Sequence, residues 1–370
     1  GAPVALVVGT SSERAQAGVE AIRVDYQPLP HAFDTEETLD EGACPIYART
    51  SSFGNVLTTD RVAHGDLEAA FARSDVIVET SYRTVFLEHA ALEREAALGY
   101  LDEEGRVTVV AGTHEAHWAQ GYIADALALD PSEVRVIVPP TGGSFGGKQD
   151  PWPLMATGLM TYLVRRPVRL AYTRRESFDA SPKRHPYRVQ YKIGAAPDGT
   201  LTGIRVRIDC NTGGYDAHGQ YIPNFAMTAS GGPYEWQAVD AYAQSVYTNG
   251  PKCGQFRGFG TSQSVFALEC TLDELAERLG EDPLKFRLRN ALQDSSVSFL
   301  GYPVAESLGY VEVLEAIRPH YLALREDASS FNADTAGGAL RKGVGLSGMW
   351  YRFGKSGSLR VEAHAELADD

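Results

Sequence analysis

Residues 136–151 read VIVPPTGGSFGGKQDP. The β-branched run at the start predicts a strand, two prolines end it, and four glycines surround one phenylalanine. An Asp-Pro pair then opens a helical pattern whose first turn it can cap. Glycines let main-chain N–H groups approach a bound group closely, and a helix N-terminus favours negative charge. The stretch therefore predicts a strand, a loop that binds an anionic group, and a helix.

A second glycine cluster, residues 249–263, reads NGPKCGQFRGFGTSQ and precedes a long amphipathic pattern. Its arginine places a planar cation between phenylalanines and bare amides. Two such loops, each between a strand and a helix, predict a shared ligand with anionic and heteroaromatic parts.

Composition limits the classes of protein that this chain can belong to. With 370 residues, 44% hydrophobic and 22% charged, the chain can bury a large core and should hold more than one domain. A net charge of −14 argues against a nucleic-acid partner. No apolar run approaches the roughly 20 residues that span a bilayer, so we expect no membrane partner and a cytoplasmic location. The four cysteines are scattered, which argues against a zinc or iron–sulfur site of the chain's own.

The periodicity predicts alternating strands and helices. Residues 3–9 and 22–26 are expected as strands around a helix that starts after Ser11, and 31–59 as an acidic linker. The other predicted strands are 76–84, 96–100, 107–111, 134–138, 168–172, 187–194, 201–209, 241–248, 344–350 and 359–367. The other predicted helices are 115–127, 151–164, 262–279 and 283–292, and 213–233 is expected to be irregular.

Five motifs stand in a fixed order along the chain. They are EHAALE at 88–93, GTHEAH at 112–117, GGSFGGK at 142–148, QFRGFGTSQ at 255–263 and DPLKFRLRN at 282–290. This order resembles the molybdenum-binding large subunit of the xanthine dehydrogenase/aldehyde oxidase family. The first residues are also similar to the end of that family's α/β hammerhead domain.

The resemblance implies an α+β fold with mixed sheets. Residues 1–36 would be the C-terminal part of the hammerhead domain and 37–58 a linker. Residues 59–310 would be the first molybdopterin-binding domain, and 311–370 the truncated start of a second. On this basis we expect the chain to be incomplete at both ends.

The resemblance also implies a function. In this family, molybdenum on a pyranopterin, as molybdopterin or its cytosine dinucleotide form, hydroxylates a heteroaromatic or aldehyde carbon with oxygen from water. Iron–sulfur and FAD partner subunits would take the electrons. The C-terminal half of the molybdenum subunit would be a separate chain or a missing segment.

The site residues follow from matching the motifs position by position. The implied cofactor-binding residues are His114, Gly143, Ser144, Phe145, Gly146 and Arg257. The implied substrate-binding residues are Gln149, Gln255 and Phe259, and no residue is expected to ligate the metal directly.

Three of these positions depart from the family pattern. His114 stands where the family has a glutamine that donates to the metal's apical oxo group. Gln149 replaces a glutamate of the purine-specific members, and Gln255 replaces a small alanine. The purine-binding arginine of the animal enzymes falls near Phe225, so the resemblance does not imply xanthine as the substrate, and a purine-like ring, another N-heterocycle or an aldehyde stays open.

The general base of the family, a glutamate in a G-x-G-E loop, is expected outside this chain, and no catalytic residue is assigned. A component of a molybdenum hydroxylase is thus the first hypothesis. A non-catalytic scaffold of the same fold without metal is the second. A nucleotide-binding protein is the third, although residues 142–149 lack the GxxxxGK[ST] spacing of a phosphate loop.

Overall fold

The computed structural model describes residues 2–47, 52–304, 308–336 and 338–351. The strands in these ranges are β1 (Ser52–His64), β2 (Val76–Arg83), β3 (Ala96–Leu101), β4 (Val107–Ala111), β5 (Val134–Ile137), β6 (Val168–Ala171), β7 (Tyr187–Ala195), β8 (Leu201–Gly213) and β9 (Ala238–Tyr247). The helices there are α1 (Ser12–Glu20), α2 (Thr35–Leu39), α3 (Leu67–Ala72), α4 (Ala116–Leu127), α5 (Trp152–Val164), α6 (Arg174–Ala180), α7 (Ile222–Ala229), α8 (Thr261–Arg278), α9 (Pro283–Asn290) and α10 (Tyr310–Asp334).

The larger sheet has the strand order β1-β9-β8-β7-β2. Only β8 and β9 run parallel in it, and the other neighbours are antiparallel. Helices α7 and α8 pack on this sheet. Alternate residues of the strands, such as Ile193, Ile204 and Val206, are fully buried, as the period of two requires. The apolar side of α8, including Leu268, Leu272 and Leu275, completes this core.

The smaller sheet has the order β5-β4-β3-β6, and β4 and β5 are its parallel pair. Helices α4 and α5 pack against each other and against this sheet. The core between them contains Val107, Val109, Ile123 and Leu154.

The two parallel strand pairs position the loops that the sequence singled out. The carboxyl ends of parallel strands lie at one edge of a sheet, where loops can share a ligand. The segment with His114 leaves β4, and the glycine loop 142–148 leaves β5. The segment with His218 leaves β8, and the glycine cluster 249–260 leaves β9. All four segments therefore emerge from matching edges of the two sheets.

The α+β fold with mixed sheets is confirmed, and strands β2 to β9 lie within two or three residues of their predicted bounds, β8 extending four residues further. Some predictions are wrong. Residues 31–59 contain α2 and the first half of β1, and 213–233 contain α7. The proposed domain boundaries stay predictions.

The predicted strands near the ends of the chain are also wrong where they can be checked. Residues 3–9, 22–26 and 344–350 form no strand, because none of them pairs with another segment of the described chain. The strand predicted at 359–367 lies outside the described residues. Within the described ranges, no helix is both long and apolar enough to cross a membrane.

Candidate functional site

The first glycine loop, residues 142–148, has an unusual backbone. Gly143, Phe145 and Gly146 have φ angles of 105°, 53° and 106°. The left-handed region is costly for a phenylalanine, so the surrounding contacts must hold it there. Gly146 is required for a second reason: a Cβ atom at this position would lie 2.5 Å from the carbonyl oxygen of Gln255. The loop therefore exposes its main chain and packs its glycine directly onto the second cluster.

The second loop, residues 250–260, also contains positive φ angles, here at three consecutive residues. Gly258, Phe259 and Gly260 have φ angles of 97°, 44° and 89°. The main-chain N–H of Arg257 donates to the carbonyl oxygen of Phe145 at 2.8 Å. This hydrogen bond joins the two loops, which together form one cradle.

His114 bridges the two loops through its side chain. Its Nδ1 lies 3.1 Å from Ser144 Oγ in the first loop, and its Nε2 lies 3.2 Å from Gln255 Oε1 in the second. The residue is exposed. The sequence named His114, Ser144 and Gln255 separately, and the fold brings their side chains into one hydrogen-bonded chain.

His89 holds the second loop through contacts with Gln255 and Phe256, and it was not named as a site residue from the sequence. Its Nε2 donates to the carbonyl oxygen of Gln255 at 2.7 Å, and its ring stacks on Phe256 with 4.1 Å between centroids. Burial lowers the pKa of His89, so the ring is neutral near neutral pH. The EHAALE motif was the signal that could have identified this residue.

Arg184 holds the same loop and was also missed. Its guanidinium carbon lies 3.9 Å from the centre of the Phe256 ring. The group donates to the carbonyl oxygen of Arg257 at 2.9 Å, to Ser262 Oγ at 3.1 Å and to Gln263 Oε1 at 3.2 Å. It therefore ties the loop to the first turn of α8.

Glu93 supports the first loop. Its Oε1 accepts a 2.6 Å hydrogen bond from Lys148 Nζ, and its Oε2 accepts one from the N–H of Gly142. The Lys148 side chain is only 3% exposed, so its charge depends on this carboxylate. The hydrogen bond from Lys148 is the main reason that the pKa of Glu93 lies below its usual value. The loop lysine thus acts within the protein and does not face the cradle's ligand.

A cavity of about 1030 Å³ opens beside the cradle. Gly146, Gln149 and Gln255 line it from the loops, and Trp118, His218 and Tyr221 add aromatic surface. A cavity of this size, with both aromatic and polar side chains in its walls, suits a small organic ligand that carries hydrogen-bonding groups.

Gln149 is fixed in the wall of this cavity. Its Nε2 donates to Glu115 Oε1 and lies 3.2 Å from His218 Nε2. Its Oε1 is shielded from solvent and has no hydrogen-bond partner in the described structure. A buried acceptor without a partner is costly, and a donor on a ligand would satisfy it.

Phe259 is 8% exposed and lies behind the cavity wall. Its ring meets Phe225 edge to face at 4.9 Å and His218 at 6.2 Å. Its stacking on a substrate stays a prediction. The side chain of Arg257 is exposed and makes no hydrogen bond or ion pair with the described residues, so it is available to an anionic group.

The described part of the chain contains no group of three or more histidine, cysteine or acidic side chains that could hold a metal ion. The chemistry of the cradle is therefore that of main-chain amides, amide side chains and one free guanidinium. Such groups hold the oxygen-rich and heterocyclic parts of an organic cofactor.

Comparisons with known proteins agree with this geometry. Residues 51–291 match the molybdopterin cofactor-binding domain family. The nicotinate dehydrogenase large molybdopterin subunit of Eubacterium barkeri is 36% identical over 318 residues, which are 86% of this chain and 74% of that protein. The xanthine dehydrogenase molybdenum-binding subunit of Escherichia coli is 32% identical over 348 residues, 94% of this chain and 45% of that protein.

A solved structure has the same fold. The aldehyde oxidoreductase from Desulfovibrio gigas superimposes with a TM-score of 0.81 at 29% identity, over 86% of this chain and 35% of that one. The chain thus spans less than half of the second relative and of the solved structure. The chain belongs to the molybdopterin cofactor-binding domain family, and its relatives are oxidoreductases of the xanthine dehydrogenase and aldehyde oxidoreductase type.

Proposed function

We propose that this chain supplies the cofactor-holding part of a molybdenum hydroxylase that acts on a heteroaromatic or aldehyde carbon. The observation that carries the proposal is the single cradle made from two glycine loops, joined by the hydrogen bond from Arg257 N to Phe145 O and by His114. The cavity beside this cradle gives a substrate access to whatever the cradle holds.

The residues present fit a pyranopterin. The positive φ angles at Gly143, Phe145 and Gly146 shape a loop whose exposed main chain would face the hydrogen-bonding edges of a heterocycle. The exposed guanidinium of Arg257 suits the phosphate of the cofactor. When bound, the molybdenum cofactor would carry out the two-electron oxidation and the transfer of oxygen from water to carbon.

The substrate would lie in the cavity beside Gln149. The unpaired Oε1 of Gln149 would accept a hydrogen bond from an N–H or O–H group of the substrate. The aromatic surface of Trp118 and Tyr221 would contact the faces of a planar ring and exclude water. Phe259, behind this wall, would support the ring-binding surface.

The general base would come from outside this chain, as the resemblance implies. We therefore propose that the C-terminal half of a molybdenum subunit completes the site, as a further segment or as a separate chain. Iron–sulfur and FAD subunits would accept the electrons, and the assembly would be cytoplasmic. The relative from Eubacterium barkeri, described as a large molybdopterin subunit, supports this multi-chain organisation.

The scaffold hypothesis rested on His114 and the absent base. His114 takes part in the cradle's own hydrogen bonds, so its identity does not argue for a degraded site. We therefore favour the enzyme over the scaffold.

Replacing Gly146 with alanine tests the proposal. The added Cβ would meet the Gln255 carbonyl oxygen at 2.5 Å, and φ of 106° disfavours any side chain. We expect Gly146→Ala to lose most of its molybdenum and pterin, measured by elemental analysis and by fluorescence of the oxidised pterin. Gly121→Ala is the matched control, because a Cβ there meets nothing within 4 Å.

The control should keep the cofactor content of the wild type. Wild-type protein from its own source that carries neither molybdenum nor pterin would refute the proposal. Gly146→Ala protein with full cofactor content would refute the location of the cradle.

A further inference from the structure

Gln255 is held from several directions. The carbonyl oxygen of this residue accepts the 2.7 Å hydrogen bond from His89 Nε2, and Gly146 packs against the same oxygen. Its side-chain Oε1 lies 3.2 Å from His114 Nε2. Both the main chain and the amide group of Gln255 are therefore fixed before any ligand binds.

The hydrogen bonds around His114 decide which group donates to a ligand. The amide oxygen Gln255 Oε1 can only accept, so its 3.2 Å contact with His114 requires a proton on Nε2, which donates to it. In the neutral ring, Nδ1 is then an acceptor and receives the hydroxyl hydrogen of Ser144 at 3.1 Å, while Ser144 Oγ accepts from the N–H of Lys148 at 3.3 Å. Both ring nitrogens are used within the protein.

The amide nitrogen of Gln255 is the group that remains. It makes no hydrogen bond within the described residues, and Gln255 lines the cavity next to the first loop. Because Oε1 is occupied by His114, the NH₂ group is oriented away from the histidine. A fixed, partly shielded donor of this kind suits an acceptor atom whose position is also fixed.

We propose that Gln255 is the hydrogen-bond donor of this chain to an acceptor oxygen of the group bound between the loops, and that His114 is its positioning residue. This inference rests on the proposed function. It differs from the expectation taken from the resemblance, in which residue 114 itself is the donor. The exchange of the donor explains why His114 and Gln255 depart from the family pattern together.

The test compares three variants of the holoenzyme. Gln255→Glu keeps an acceptor for His114 but has no donor, and Gln255→Met removes the donor without adding charge. Gln27→Glu is the matched control, because Gln27 is exposed, lies outside the cavity and makes no hydrogen bond within the described residues. The measurements are the rate at which molybdenum and pterin are lost on dilution and the molybdenum(V) electron paramagnetic resonance spectrum.

We expect both Gln255 variants to lose the cofactor about tenfold faster, as the removal of one hydrogen bond to a charged or strongly polar acceptor implies. Both should also have altered g values, whereas Gln27→Glu should match the wild type. Identical spectra and loss rates for the wild type and both Gln255 variants would overturn the inference.

The tautomer of His114 provides an independent test. In protein labelled with ¹⁵N-histidine, the Nε2–H tautomer should dominate among neutral His114 rings, and Gln255→Met should lower its share. A dominant Nδ1–H form in the wild type would overturn the positioning role. Wild-type protein without molybdenum would refute the proposed function itself, whereas loaded protein with unaffected Gln255 variants would refute only this inference.

Discussion

Replacing Glu93 with glutamine should open the first glycine loop. The carboxylate accepts from Gly142 N–H through one oxygen and from Lys148 Nζ through the other. A glutamine has only one acceptor oxygen, so one of the two donors must face an NH₂ group. The Lys148 ammonium, 3% exposed, would then lose the only anion that the described structure offers it.

The magnitude follows from the burial of the pair. Removing one partner of a fully buried ion pair costs about 3–5 kcal/mol. The Glu93 side chain is 36% exposed, so water can reach the pair and screens part of that loss. We therefore expect Glu93→Gln to lower the free energy of loop opening by about 2 kcal/mol, which corresponds to about thirtyfold faster amide exchange in residues 142–148.

Hydrogen-exchange mass spectrometry across 142–148, with urea unfolding in parallel, measures this effect. Lys148→Met should cost less than Glu93→Gln, because the carboxylate left behind can be hydrated. The double variant should recover part of the loss. Glu104→Gln is the control, since Glu104 is 70% exposed beside Arg106 and should change stability by less than about 0.5 kcal/mol. A Glu93→Gln loop that exchanges as slowly as the wild type would refute the role of the pair, and so would a larger loss in Lys148→Met.

Two further predictions concern Arg184 and the buried His185, which lie just before β7. Burial lowers the pKa of His185 to about 3, while an unfolded histidine titrates near 6.5. The unfolded state therefore binds more protons between these values, and stability is lost as the pH falls from about 6.5 towards 3. That loss reaches about 5 kcal/mol at ~1.4 kcal/mol per pKa unit. The free energy of urea unfolding, plotted against pH, should be flatter for His185→Gln than for the wild type. Parallel plots would contradict the lowered pKa of His185. Arg184→Lys keeps the charge but cannot both stack on Phe256 and make all three hydrogen bonds. We expect about tenfold faster amide exchange in residues 255–260, and exchange at the wild-type rate would show that the guanidinium does not hold the loop.

Local patterns were enough to predict the core of the fold. The alternation in β7 and β8 and the Asp198-Gly199 turn between them define the hairpin. Both strands pair as predicted, although β8 extends further than expected. The short helices were missed although their caps are in the sequence. Thr173 and Glu176 form a capping box at the start of α6, but the helix has only seven residues and weak periodicity. Predicted strands at residues 3–9 and 344–350 failed because strand formation depends on a partner that sequence periodicity does not specify.

The site could be predicted in its parts but not in its connections. The glycine clusters follow from composition and spacing, since only a few residue types tolerate a left-handed backbone. The contact between His114 and Gln255 joins residues 141 positions apart, and that between Arg257 and Phe145 joins two separate loops. Such contacts depend on how the two sheets face each other. The supporting roles of Glu93, His89 and Arg184 were missed for the same reason.

Anomalous X-ray diffraction at the molybdenum absorption edge, from crystals of the protein isolated from its own source, tests the central claim most directly. We expect one strong peak in the cavity beside the cradle, adjacent to Ser144 and Gln255. A molybdenum peak remote from the two glycine loops would contradict the claim that these loops hold the cofactor. Crystals of the full-length, active assembly without any molybdenum peak would contradict it as well.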